Sequence, residues 1–362
     1  MKVYVIFAYS HSVGDGRSGL AFHKTFLEGL RVGRRAYDSG YDFDVTTGAQ
    51  IQDSGPQLPP PLEEACTLKI TWSYLLLTLF GGYVPETVKR WLGFQVPTVT
   101  EGTWTGNVMS YPGDPKDFRT GMAILTFPKA RMDAILRVCR QKGGVKFTGL
   151  LNQLIVRALS GALGASQVSF DRIIGQIVID LRGLVPAYSE DMMVNCVSAM
   201  YESSLRHEGK FENGLKNDTA FWDAGRKTTI RLAESASTFI DQPIGLLKYL
   251  GEFRAWFLEK LGKRRDSSYE ISNAVVFNPS SKSAGEDADE HKMGWDIDRM
   301  VFSQPANVTS CPLSFSVVTV KGGDMVLTVN WQVGILGIED EDAFVGDLLA
   351  RMEGYLIQIG EN

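Results

Sequence analysis

Histidine and cysteine are both scarce in this chain, with four of each among 362 residues. Cys66, Cys139, Cys196 and Cys311 stand far apart and form no Cys-x-x-Cys pair. That spacing argues against a disulfide framework and a thiolate zinc site, and it suits a reducing compartment. Positive charge is not in excess either. The 37 Lys and Arg face 42 Asp and Glu, a net charge of −5, so nucleic acid finds no electrostatic footprint. No apolar run is read as a membrane span. The strongly apolar stretch 68–80 (LKITWSYLLLTLF) falls short of the roughly 20 residues a bilayer crossing needs. A buried or interfacial helix fits it better, with core packing preferred and peripheral membrane contact as the alternative. Met1-Lys2 leads into a strand pattern that breaks at Ser10-His11, unlike a secretory leader. Gly-x-Ser-x-Gly, Walker and dinucleotide fingerprints do not occur in a suitable context, which removes support for hydrolase, NTPase and dinucleotide readings.

What is present is an ordinary globular composition, 44% hydrophobic and 22% charged. The length allows two domains, since single cores stop growing at roughly 250–300 residues. Residues 3–9 (VYVIFAY) are apolar, β-branched and aromatic and read as a buried strand. His11-Ser12-Val13-Gly14-Asp15-Gly16 follows, and from Arg17 to Leu30 apolar residues recur at helical spacing. His11 therefore stands on a turn between a strand and a helix, where a neutral imidazole could take a proton from a hydroxyl or amine. The plainer alternative is a locally hydrogen-bonded histidine on an ordinary Asp-Gly turn. Of the others, His23 reads as a packing or surface residue, and His207 and His291 fall in polar loops. His11 with Asp15 lacks a third metal ligand, so no metal is expected.

Further along, residues 42–62 read as a loop or linker, 63–80 as an apolar helix, and 93–117 as a crossover. A regular pattern then begins. Strands are expected at 120–127, 172–181, 195–202, 298–303, 312–320 and 324–332. Helices are expected at 128–142, 149–163, 217–235, 243–262 and 339–358. Pro128 suits a helix start, Thr148 suits a cap, and Gly322-Gly323-Asp324 suits a hairpin. The polar, acidic segment 280–292 reads as a disordered loop. The basic groups Arg31-Arg34-Arg35 and Lys260-Lys263-Arg264-Arg265 read as solvated faces, with coenzyme A phosphates as the alternative ligand.

His-x-x-x-Asp-Gly at residues 11–16 resembles the motif of the chloramphenicol-acetyltransferase-like superfamily, which includes peptide-synthetase condensation domains. Later segments resemble its fungal alcohol acetyltransferase branch in the same order. They are 118–127 (FRTGMAILTF), 139–148 (CRQKGGVKFT), 177–182 (IVIDLR), 221–227 (FWDAGRK), 272–277 (SNAVVF), Trp295-Asp296-Ile297 with Val301-Phe302-Ser303-Gln304, and 314–331. The resemblance implies an α/β fold of mixed sheets with helices, in two domains, here 1–112 and 113–362. Many relatives carry two adjacent histidines where this chain has Ser10-His11. A sizeable segment precedes the motif in the family, and here it begins ten residues after Met1, so the resemblance implies an incomplete, N-terminally truncated first domain.

The same resemblance implies an acyl-CoA-dependent alcohol O-acetyltransferase with His11 as general base. Acetyl-CoA would be a co-substrate rather than a bound cofactor, and the acceptor a small alcohol or metabolite hydroxyl. Asp15 is then structural and paired with Arg182, while Gly16 lets the backbone turn tightly and approach substrate. Ser303, Ser316 and Thr319 are the candidate oxyanion donors, and the sequence does not choose among them. The alternatives are N-acyl transfer and an inactive, ligand-binding relative. A monomer is expected, cytoplasmic or peripheral to endoplasmic reticulum or lipid droplets.

Overall fold

The computed structural model describes residues 2–38, 58–80, 84, 88, 91, 97–207, 214–279 and 295–361. Among the described residues the fold is built on one mixed sheet of six strands. They are β1 (Thr120–Phe127), β2 (Arg172–Asp180), β3 (Val197–Leu205), β4 (Tyr269–Phe277), β5 (Leu313–Val320) and β6 (Met325–Gln332), in the spatial order β1-β6-β5-β4-β2-β3. β4 runs parallel to both β5 and β2, and the other neighbours are antiparallel. β5 and β6 form the hairpin expected around Gly322-Gly323-Asp324, with Leu313 opposite Trp331 and Thr319 opposite Met325.

The helices in chain order are α1 (Gly16–Asp38), α2 (Leu62–Ala65), α3 (Trp72–Phe80), α4 (Lys129–Gln141), α5 (Phe147–Ala165), α6 (Thr219–Ser235), α7 (Phe253–Lys260) and α8 (Glu341–Gly360). α5 is buried almost all round, from Gly149 to Leu163, and packs against α6 and α8. A helix of that kind needs apolar residues on every face, and GLLNQLIVRALSGALG supplies them. Asp340 caps α8, accepting a hydrogen bond from the Ala343 amide at 2.9 Å.

Strand periodicity separates the two sides of the sheet. In β2, Ile173, Ile177 and Ile179 enter the core beneath the helices, while Gln176, Val178 and Asp180 face a large cavity. In β4, Tyr269 and Ile271 are core residues, and Glu270 and Ser272 face the cavity. The cavity is about 2940 Å³ and is walled by the N-terminal segment, α1, α3, residues 243–250, α7 and the stretch 295–310. Among the described residues no helix is long and apolar enough to cross a membrane.

Several local expectations are corrected. Residues 3–9 form no strand. They have no ladder partner among the described residues, and Tyr4 and Ile6 are each 90% exposed. The helix expected over 63–80 is two pieces, because Thr71 is drawn to Asp241. Its amide and hydroxyl donate to the Asp241 carboxylate at 2.7 and 2.9 Å, and Lys69 bridges to Ile240. None of the α3 side chains is buried. The stretch 243–262 is likewise divided, into a 3-10 turn at Pro243–Tyr249 and α7. Thr148 is not a cap. Lys146 holds that position, and the Thr148 hydroxyl accepts from Asn273 Nδ2 at 3.0 Å. Residues 298–303 are not a strand, since side chains rather than a ladder hold the segment. Thr328 Oγ1 donates to the Phe302 carbonyl at 2.7 Å, and the Ala306 amide donates to Thr120 Oγ1 at 3.2 Å. Most of the expected linker at 42–62 and all of 280–292 lie outside the described residues.

Candidate active site

Asp15 is the anchor of the motif. It sits just before α1, where its Oδ1 accepts from the amides of Arg17 and Ser18 at 3.0 and 3.3 Å. A carboxylate at that helix start satisfies free N–H groups and opposes the positive end of the helix. Its Oδ2 accepts from the Cys196 amide at 2.9 Å, and Arg182 Nη2 donates to Oδ1 at 2.8 Å. Both partners of this ion pair are buried, with side chains 2% and 1% exposed. Arg182 lies in a 3-10 turn just beyond β2 rather than on the strand itself.

The pair continues outward. Arg182 Nη1 reaches Asp180 Oδ1 at 3.2 Å, and Arg17 Nη1 reaches Asp180 Oδ2 at 2.8 Å. Burial alone would pull the Arg182 guanidinium down. The hydrogen bond and charge of Asp15, with the charge of Asp180, outweigh that and leave it above its ordinary value. Ser18, fully buried, completes the joint by donating to the Val194 carbonyl at 3.0 Å.

This joint fixes the turn that carries His11, which is exposed on the cavity wall. Asn195 clamps it from β3's entry: its Nδ2 donates to the His11 carbonyl at 2.8 Å and lies 3.4 Å from Nδ1. Sequence reading missed Asn195 and Ser18, whose only signal is adjacency to segments that the fold brings together.

Gly16 is close-packed for a reason other than the expected one. It has no positive φ, and what approaches it is protein: a Cβ there would lie 2.7 Å from Phe302 Cζ. Of the three hydroxyls considered as oxyanion donors, Ser303 lines the cavity and donates to Asn330 Oδ1 at 3.1 Å. Ser316 and Thr319 do not line it. Ser316 is fully buried in the sheet, where its Oγ accepts from Gln304 Nε2 at 3.3 Å, and Thr319 pairs along β5 opposite Met325.

The side chains of Arg34 and Arg35 lie outside what is described, and most of the other basic residues are committed to the fold. Lys260 pairs with Asp266 at 2.5 Å, Arg264 donates to the Thr100 and Glu101 carbonyls, and the fully buried Arg265 donates to those of Asn307 and Val308. Arg31 donates to the carbonyls of Trp295 and Pro279. Two further carboxyls are shifted. Burial pushes Glu202 and Glu270 above the usual carboxylate range, and each is partly offset, by Thr228 and Arg231 at the first and by His11 and Gln304 at the second.

Comparison with known proteins agrees with this architecture. A family model described as alcohol acetyltransferase matches residues 1–346. A probable alcohol acetyltransferase of Aspergillus fumigatus is 24% identical over 344 residues, covering 94% of this chain and 66% of that protein. Another, of Fusarium pseudograminearum, is 23% identical, covering 99% and 68%. The chain thus spans about two thirds of the length of these relatives. Among solved structures, the trichothecene 15-O-acetyltransferase of Fusarium sporotrichioides shares the fold, with a TM-score of 0.56 at 14% identity over 96% of this chain and 64% of that one. PapA2 acyl transferase gives 0.51 at 14% identity, over 98% and 64%. A motif histidine on the cavity wall, anchored through a buried Asp-Arg joint, accords with the match over residues 1–346: the chain belongs to the alcohol acetyltransferase family.

Proposed function

We propose that this chain transfers an acetyl group from acetyl-CoA to an alcohol, with His11 as general base. The observation that carries the reading is the exposure of His11 on the cavity wall while its turn is anchored by the buried Asp15–Arg182 pair. His11 takes the acceptor's hydroxyl proton as that oxygen attacks the thioester carbonyl. The new C–O bond forms, the C–S bond breaks, and the proton passes to the departing thiolate to give the free thiol and the ester. General-base catalysis of this type contributes roughly 10²–10⁴-fold.

Asp15 and Arg182 do not react. They hold the turn, so the imidazole is presented without reorganisation. Ser303 is the hydroxyl best placed to stabilise the tetrahedral oxyanion, once its proton is turned from Asn330 toward the cavity. With this reading goes the division into a first domain, 1–112, and a second, 113–362.

The test is thiol release from acetyl-CoA by the purified chain, with a panel of alcohols and amines. Release with alcohols that is lost in His11→Ala supports the reading. Release with amines alone would make it an N-acyltransferase. Folded protein that releases no thiol with any acceptor would contradict it and favour ligand binding without turnover.

A further inference from the structure

Among the described residues, Glu270 is a buried carboxyl of the cavity that makes no ion pair. Of the other lining carboxylates, Asp15 is paired with Arg182, Asp180 with Arg17, Asp266 with Lys260, Asp296 with Arg31 and Asp298 with Lys2. Glu270 is only 8% exposed. Two amides attend it instead. Gln176, its register partner across the parallel β2–β4 ladder, donates from Nε2 to Oε2 at 3.0 Å, and the amide of Gln304, whose Nε2 donates to Ser316 Oγ at 3.3 Å, favours its charged form from nearby. The ladder continues outward, since Ser310 Oγ donates to Gln176 Oε1 at 3.0 Å. An ionised carboxyl offers about four acceptor sites, and a buried one is costly unless they are filled. One hydrogen bond to Oε2 leaves Glu270 with acceptor capacity at the cavity it lines.

The surroundings define what could fill it. Leu75, Leu247, Leu250 and Trp256 give the cavity an apolar wall. A simple short alcohol would satisfy His11 and leave the rest of so large a space to water. We propose that Glu270 is an acceptor-recognition residue that takes a hydrogen bond from a second hydroxyl of the acceptor. The favoured acceptors are then diols or polyhydroxylated molecules with an apolar body, one hydroxyl at His11 and another at Glu270. The inference rests on reading the cavity as the acceptor site, and it adds the class of acceptor. A carboxyl with acceptor capacity left over selects a donor group over an ether or a ketone at that point.

Binding can be measured without turnover. Calorimetry on the full chain carrying His11→Ala would compare α,ω-diols from butanediol to octanediol with the matching monoalcohols. At least one diol is expected to bind ten- to a hundredfold more tightly than its monoalcohol, the range of one hydrogen bond to a charged group. Adding Glu270→Gln should bring that ratio below about threefold, and Glu270→Met, which keeps the volume and removes both acceptors, should do the same. Thermal unfolding checks that each variant is folded. Equal binding of diols and monoalcohols by the Glu270 protein would overturn the proposal, and so would a preference that survives both substitutions. So would a fall in kcat that is the same for monoalcohol and diol in an otherwise wild-type Glu270→Gln protein, since that would assign Glu270 to the chemistry at His11. If acetyl transfer itself fails, thiol release shows it, and the binding ratio still decides this proposal.

Discussion

Asp15 and Glu270 are both carboxyls buried at the edge of one cavity, and the fold treats them in opposite ways. Asp15 has a guanidinium, three amide donors and a helix start. Glu270 has one side-chain amide donor, a second amide nearby and no ion pair among the described residues. A charge neutralised inside the protein locks a joint, and a charge left to amides keeps the capacity to bind something else. The first arrangement serves position and the second suits recognition. The cavity face of the sheet, with Gln176, Asp180 and Glu270, differs in the same way from the face below it, where Ile173, Ile177 and Ile271 are wholly buried under helices.

Breaking the Asp15 side of the comparison should have the largest effect. Arg182→Met or Asp15→Ala strands a buried charge and is expected to cost about 3–5 kcal/mol, read by denaturant unfolding. Activity per folded molecule should fall with it, because the His11 turn loses its anchor. A cost below about 1 kcal/mol would mean the pair does not hold the joint.

Ile155→Ala tests the opposite face. Ile155 is fully buried in α5, and truncation should cost about 2–5 kcal/mol. The surviving folded protein should keep its kcat and KM, which steady-state kinetics at low temperature would show. A changed KM would mean that the core and cavity sides are not separable.

Asn195→Ala should be milder for stability and specific for rate. With its clamp on the His11 carbonyl removed, kcat should drop roughly tenfold with KM little changed. An unchanged kcat would remove Asn195 from the positioning set.

The smallest effect belongs to Glu270 and has a definite sign. Its carboxyl lies above the ordinary value of 4.5 because burial disfavours the charge. The folded protein therefore binds more protons than the unfolded chain above pH about 4.5, and stability is lost as pH rises through the folded-state value. Glu270→Gln should unfold at a higher temperature than wild type at pH 7, and the gap should close near pH 4. A gap that widens toward acid would show that Glu270 is a stabilising, ionised group like Asp15.

Legibility in the sequence follows the same divide. β1 is readable as 120–127 because its apolar run ends at Pro128, and the β5–β6 hairpin because Gly322-Gly323-Asp324 interrupts two β-rich runs. The Asp15–Arg182 contact joins residues 167 positions apart, and only the family resemblance pointed to it. Residues 3–9 carry strand composition, but a strand also needs a neighbour, which propensity cannot report. The break at Thr71 depends on Asp241, and the Gln176–Glu270 contact depends on a β2–β4 register that sets the two side by side. Each of those residues reads locally as an ordinary polar position. Hydroxyl placement was equally hidden: Ser316 and Thr319 sit on a strand whose side chains do not reach the cavity, while Ser303, on an irregular segment, does.

The central claim is that the anchored turn exists to present His11 as a base. It is tested most directly by the rate of thiol release from acetyl-CoA, with an alcohol acceptor, for wild type and His11→Ala side by side with their thermal unfolding. His11 is exposed and holds no buried joint, so the two proteins should unfold at the same temperature. The rate should fall by at least about 10²-fold in the variant. Equal rates from equally stable proteins would contradict the account.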